Sequence, residues 1–179
     1  LIGNPGCYTT CSILALAPLY KNGLIDLDSV VVDAASGVTG AGRGLLQGSM
    51  FCEADESFKA YKVASHRHTP EIEQELAAAA KLGELALTFI PHLVPVNRGI
   101  HSTIVAKAKP GVSIENVRDA LEKAYGKEPF VRILPPGQLA DTKHVTMTNV
   151  CEIGAVFDKH TGNLLLSSAI DNLTKGASG

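Results

Sequence analysis

No apolar run in this chain approaches the roughly 18 residues that a membrane span requires, because Lys, Glu, Pro or Gly interrupts every hydrophobic stretch. A transmembrane helix is therefore excluded from the expected architecture. No basic segment leads into an apolar core, so no signal-peptide pattern is present. Charge of one sign is scarce too: 16 Lys and Arg against 18 Asp and Glu leave a formal net charge of −2, with 19% of residues charged. A general nucleic-acid binder needs a basic excess and a disordered polyelectrolyte a large net charge, so neither class fits. Cysteine is limited to Cys7, Cys11, Cys52 and Cys151, too few in 179 residues for a disulfide-stapled scaffold. Reduced thiols are expected. The chain also lacks G-x-x-x-x-G-K-[ST], a G-x-G-x-x-G after a strand, a fixed-period repeat and any low-complexity tract.

What is present is a 45% hydrophobic chain, long enough to bury about two thirds of its unfolded surface in one core. One domain of a soluble, cytoplasmic metabolic protein is the expectation. The chain opens at Leu1-Ile2-Gly3 without an initiator methionine and ends on Gly176-Ala177-Ser178-Gly179 without a further element. The reading is therefore a piece cut from a longer protein, and an upstream targeting signal or organellar form stays open.

Hydrophobic patterning and caps predict the elements. An apolar helix covers Thr9 to Leu19, ending near Pro18, with a turn at Lys21-Asn22-Gly23 and a buried strand at Val30-Val31-Val32. Ser36 to Gly44 is rich enough in glycine to predict a loop whose backbone approaches something closely. Phe58 to Ser65 reads as a strand. Thr69-Pro70-Glu71 starts a helix that runs through the alanines to Lys81 and stops at Gly83. Strands at Leu85–Ile90 and Ser102–Ala108 flank an irregular Pro91-to-Arg98 segment, and Ser113 caps a helix stopped at Gly126. Further strands are expected at Phe130–Leu134, Val145–Cys151, Ile153–Phe157 and Leu164–Ile170, the last pair joined by a hairpin over Asp158 to Asn163. The sum is an α+β fold: a mixed, largely antiparallel sheet with helices packed on one face.

Chemistry concentrates at Asn4-Pro5-Gly6-Cys7-Tyr8-Thr9-Thr10, which places a cysteine where loop becomes helix. Free N–H groups at a helix start favour a thiolate, so Cys7 is a nucleophile candidate with a lowered pKa; inert buried packing is the competing reading. Cys11 shares its helix face but not the C-x-x-C spacing of a redox or zinc site, and reads as packing. His66-Arg67-His68 offers an imidazole for proton transfer, and on a strand end only one of the two rings could face the cleft. A zinc site from Cys7, His66, His68 and His92 lacks the ligand spacing of structural sites. Arg98, delivered by a proline-fixed segment, is the best anion donor; Arg43 in the glycine loop, Lys62, Arg132 and Lys143 rank below it.

Taken together, these motifs resemble the N-acetyl-gamma-glutamyl-phosphate reductases, which are similar in chemistry to aspartate-semialdehyde and glyceraldehyde-3-phosphate dehydrogenases. The resemblance spans nearly the whole chain: Asn4 to Tyr8, Asp33 to Arg43, His66 to Ile72, Pro91 to Gly99, Glu128 to Arg132 and Ser168 to Leu173. The family often has proline at Thr9 and serine at Thr39, departures that spare the nucleophile and its histidines. The resemblance implies a Cys7 thioester formed from N-acetyl-glutamyl phosphate with release of inorganic phosphate, reduced by NADPH in arginine biosynthesis. His66 or His68 handles the proton, with His68 favoured for its place beside the Pro70 helix start. Arg98, Arg43, Lys62 and Asn4 meet the substrate, while Ser36, Gly37 and Asn172 approach the nicotinamide of NADP, and no metal is required. The implied natural protein is a homodimer or homotetramer without nucleic-acid or membrane partners. Residues 1–179 correspond to its catalytic and dimerisation domain, without the N-terminal dinucleotide-binding domain and final C-terminal helix, so this piece alone is expected to be inactive. Two other classes stay in view: a cysteine-dependent acyl hydrolase or transferase, and a non-catalytic dimerisation module.

Overall fold

A computed structural model describes residues 3–178. Five α-helices and seven strands follow in the order α1 (Cys7–Lys21), β1 (Val31–Gly37), α2 (Phe51–Ala54), β2 (Lys59–Ala60), α3 (Thr69–Ala80), β3 (Thr88–Val94), β4 (Ile100–Lys107), α4 (Ile114–Tyr125), β5 (Val131–Ile133), α5 (Thr142–Val145), β6 (Cys151–Phe157) and β7 (Asn163–Ile170). The strands make one sheet in the order β2-β3-β1-β4-β7-β6-β5. The β1–β3 and β5–β6 pairs are parallel and the other four antiparallel, so the sheet is mixed and largely antiparallel as predicted.

Alternation along the strands separates two faces. Val32 and Ala34 of β1, Ile100, Ile104 and Ala106 of β4, and Leu164, Leu166 and Ile170 of β7 are buried under the helices. α1 crosses this face over β4 and β7, between α3 and α4. Sheet below and helices on both flanks leave α1 no solvent face, which is why its sequence is apolar nearly all round. The opposite face carries Val31, Ala35, Val105 and Leu165, each half-buried. Its β6–β7 end is covered by α5 and the segment before it, with Val145, Ala140 and Leu134 against Ala169.

Several local expectations are corrected. α1 passes through Pro18 to Lys21: the proline removes one N–H near the helix end, and burial of Leu19 and Tyr20 holds the last turn. Ser36 and Gly37 belong to β1, and the loop begins with a 3-10 turn at Val38–Ala41. The close approach predicted for its glycines is to the chain itself, since a methyl on Gly37 would lie 2.7 Å from the Asn97 carbonyl. The Phe58–Ser65 strand shrinks to Lys59–Ala60 because Lys62 and Ala64 adopt positive φ of 48° and 57°. His68, not Thr69, precedes the first turn of α3, and Lys81 at φ 58° ends it ahead of Gly83. β3 starts later than expected and runs through Pro91 to Val94. Pro91 is tolerated because its carbonyl, and hence its missing N–H, faces the short β2 side, where Tyr61 N–H donates to it at 3.0 Å. The expected Val145–Cys151 strand is absent up to Val150: Val145 ends α5, a turn with Met147 at φ 61° follows, and Cys151 opens β6. The Ser113 helix has a full capping box with Asn116, and β6–β7 form the expected hairpin. Among the described residues no helix is long and apolar enough to cross a membrane.

Candidate active site

Cys7 is the first residue of α1, and Gly6 is its N-cap. The thiol lines a cavity of about 380 Å³ together with Tyr8, Ser36, Gly37, His66 and His68. Lys59, Lys62 and Arg67 line the same cavity, and of these Arg67 is the cation that acts on the thiol. Backbone N–H groups of Tyr8 and of Cys7 itself and the Arg67 charge favour the thiolate, as the helix start predicts. Burial outweighs them and, with help from the Glu71 charge, pushes the Cys7 thiol above its ordinary value of 9.0, correcting the expectation of a lowered pKa.

The two histidines sit in a turn rather than on a strand, so their rings share one side, with centroids 4.9 Å apart. His66 is packed edge-on against Tyr8, Tyr61 and Phe89, at 5.4 to 5.5 Å. Its Nδ1 accepts the backbone N–H of His68 at 3.1 Å, which fixes that nitrogen as unprotonated. Burial, reinforced by His68, Lys62 and Arg67, pushes His66 down to about 4, so it is neutral at physiological pH. His68 is buried against the turn before Cys7: a methyl on Gly6 would lie 2.5 Å from its Nε2. Its Nδ1 has no hydrogen-bond partner among the described residues. Burial also lowers His68, but the nearby Glu71 carboxylate opposes the shift.

Other candidates are spread more widely. Lys62, Ser36 and Gly37 reach the cavity, whereas Arg98, Arg43, Asn4 and Asn172 are not among its lining residues. The Arg98 guanidinium is 3.1 Å from buried Asp171, whose carboxylate also accepts the N–H groups of Met147, Leu173 and Thr174. The expected anion donor is thus held in an internal ion pair. Asn172 accepts from Gly99 N–H and donates to Thr39 Oγ1, bracing the glycine loop that carries Gly40 and Ala41 into the cavity wall. Asn4 borders a neighbouring groove with Pro5, Thr10 and Lys175, and Arg43 is exposed in the loop. His92 lies on the other sheet face, 2.9 Å from Asp33, and Phe58 lies against its ring, away from any shared ligand set with Cys7. Sequence reasoning assigned no role to Lys59, Arg67, Tyr8, Tyr61 or Glu71. The position of Arg67 between two histidines and of Tyr8 beside the cysteine were signals within the motifs.

A mixed seven-stranded sheet with helices over one face is the fold of semialdehyde dehydrogenase-type structures. Solved aspartate semialdehyde dehydrogenase II from Vibrio cholerae has this fold: TM-score 0.75 at 17% identity, over 99% of this chain and 58% of that one. A probable aspartate-semialdehyde dehydrogenase from Pseudomonas aeruginosa superposes at TM-score 0.73 and 16% identity, over 97% of this chain and 58% of that one. The chain belongs to the semialdehyde dehydrogenase, dimerisation domain family, which it matches over residues 7–172. Over its full length it is 57% identical to the N-acetyl-gamma-glutamyl-phosphate reductase of Pelotomaculum thermopropionicum and 56% identical to that of Pelobacter propionicus. It spans about half of each relative, 51% and 52%.

Proposed function

We propose that this chain is the catalytic and dimerisation part of an NADPH-dependent reductase that converts N-acetyl-glutamyl 5-phosphate to N-acetyl-glutamate 5-semialdehyde, a step of arginine biosynthesis. The carrying observation is the convergence of Cys7, His68 and the cations Lys59, Lys62 and Arg67 on one cavity. The relatives named as reductases of that acyl phosphate supply the substrate.

In this reading the Cys7 sulfur attacks the acyl carbon. A C–S bond forms, the bond from carbon to the phosphate oxygen breaks, and phosphate leaves with the electron pair. Lys59, Lys62 and Arg67 hold the phosphate, since their charges meet the oxygens on which negative charge grows. His68 takes the thiol proton, which a neutral imidazole can accept, and holds it for the carbonyl oxygen. His66 is a positioning residue: caged and neutral, it holds the His68 backbone through Nδ1. The first amides of α1 stabilise the thiolate and the developing oxyanion.

The cavity wall suits the flat ring of a nicotinamide. Ser36, Gly37 and Gly40 line it, and a methyl on Gly40 would lie 3.0 Å from Ser36 Oγ, so glycine keeps that wall low. When bound, NADPH would supply the hydride that reduces the Cys7 thioester. His68 then takes the hydroxyl proton back from the reduced carbon's oxygen, the C–S bond breaks with its electron pair on Cys7, and the aldehyde leaves. Ser36 and Gly37 would hold its nicotinamide side, and Asn172 would keep their loop in place. The rest of the dinucleotide is assigned to the half of the relatives that this chain does not span, so residues 1–179 alone are expected not to turn over. The half-exposed face of the sheet is where a second copy packs, giving a homodimer or a homotetramer built from it.

The test is phosphate-dependent NADP reduction with N-acetyl-glutamate semialdehyde, using this chain joined to the remainder of its natural protein, beside the same protein with Cys7→Ser. Activity that falls by about a thousandfold or more in the variant is the expected result. A folded, nucleotide-binding parent without activity would overturn the substrate and bring Cys7 acyl transfer forward.

A further inference from the structure

α1 lacks the usual devices at its N-terminus. Its N-cap is Gly6, without a side chain to accept a hydrogen bond, and its first turn contains no acid. The acid comes from another element. Glu71, in the first turn of α3, accepts the Gly6 N–H on Oε1 at 3.1 Å and the Thr9 hydroxyl on Oε2 at 3.0 Å. One carboxylate therefore spans both sides of Cys7 and places its negative charge at the positive ends of two helices, its own and the neighbouring one.

His68 immediately precedes α3, and its carbonyl accepts the Ile72 N–H at 3.0 Å. Its ring packs on Gly6 so closely that its place relative to Cys7 depends on how the first turns of α1 and α3 meet. Ile72 and Leu76 bury the apolar side of that contact, but apolar burial is non-directional and tolerates sliding. The two bonds to Glu71 are directional and fix the register.

We propose that Glu71 is a positioning residue, a carboxylate clamp that locks the helix start bearing Cys7 to the helix start bearing His68. Its catalytic consequence rests on the Cys7–His68 pairing argued above; the clamp itself does not. The charge has a second effect: Glu71 favours the protonated form of both Cys7 and His68, while Arg67 favours the thiolate and the neutral imidazole. The ring of His66 on the turn before it, 4.9 Å away, and the ring of Tyr8 on α1, 6.1 Å away, are further titratable neighbours of His68, and Lys62 acts on His66. Clamp and charge are separable, because Gln keeps an acceptor oxygen without the charge and Ala keeps neither.

The experiment uses this chain joined to the remainder of its natural protein and carrying Cys52→Ser, with alkylation at Cys7 located by peptide mass spectrometry, so that the exposed thiol does not react and buried Cys11 and Cys151 stay protected. Hydrogen exchange of the Gly6 amide and the pH profile of Cys7 alkylation by iodoacetamide are measured in this parent, in Glu71→Gln and in Glu71→Ala, without substrate or nucleotide. Glu71→Ala is expected to speed Gly6 exchange about tenfold, the equivalent of one lost hydrogen bond. Glu71→Gln should stay within about threefold of the parent in exchange yet move its alkylation profile to lower pH. Parent-like Gly6 exchange in Glu71→Ala overturns the clamp. Should that variant not fold, Glu71→Asp decides, because its shorter side chain does not reach both Gly6 and Thr9, and parent-like Gly6 exchange there overturns the proposal. Neither readout involves turnover, so failure here leaves the reductase reading standing, and failure of the reductase assay leaves the clamp.

Discussion

Cys7, His66 and His68 show how far residue types alone carry an argument. The motif places Cys7 at a helix start and a histidine near an element end, and both positions hold. What the motif cannot give is how the two buried histidines differ, a matter of tertiary neighbours: Nδ1 of His66 accepts the His68 N–H, whereas Nδ1 of His68 has no partner among the described residues. Caging of His66 has a measurable consequence. Its unfolded value is near 6.5 and its folded value about 4, so between these limits the unfolded state binds more protons. Stability conferred by the neutral ring is present above about pH 6.5, falls as pH drops toward 4, and changes no further below that. Thermal melting of the chain from pH 7 to 4 should show this decline, and His66→Gln, which keeps an acceptor but cannot titrate, should flatten it. An equally steep decline in the variant would assign the acid sensitivity elsewhere. Arg98 illustrates the opposite limit: a guanidinium after two prolines looks free in sequence, and only the fold brings buried Asp171 to it from 73 positions away.

At the scale of elements, what was legible followed local chemistry. The Ser113 cap, the Gly126 stop and the Asp158–Asn163 hairpin each depend on residues within a few positions of one another, and each formed as read. The misread elements were decided at a distance. Pro91 remains in a strand because its missing N–H falls beside a two-residue neighbour, and 145–150 stays out of one because it must cover the far sheet face beside Ala169. That cover explains Gly154 on β6. A methyl there would run into the Gln138 carbonyl and lie 3.0 Å from Leu139 Cα, so the segment crosses the strand only because residue 154 has no side chain. Gly154→Ala should lift residues 138–140, break the bond from Ala140 N–H to Ser167 Oγ, and cost about 1–3 kcal/mol. Chemical denaturation measures the loss, and the Ala140 amide resonance reports its location. A variant as stable as the parent, with Ala140 still protected, would show that the segment adapts.

For the whole molecule, the unequal treatment of the two sheet faces is the dominant fact. One face is sealed by α1, α3 and α4; the other leaves Val31, Ala35, Val105 and Leu165 half-buried beside Asp33, His101, Thr103 and Lys107. Such a surface is too apolar to be simply a solvated face and too polar to be a core. It fits a second copy of the same chain, in keeping with the family's description as a dimerisation domain. Val105 lies on β4, the fourth of the seven strands in the sheet, so in a two-fold dimer packed on this face one substitution enters the interface twice. Val105→Glu should leave the fold intact, because the position is only half-buried in a single chain, yet place two unpaired carboxylates in the joined surface. Sedimentation equilibrium should show a dimer weakened by at least about a hundredfold, with Lys123→Glu on the exposed side of α4 leaving association unchanged. A parent that is monomeric at all concentrations, or a Val105→Glu chain that associates as the parent does, would move the interface off this face.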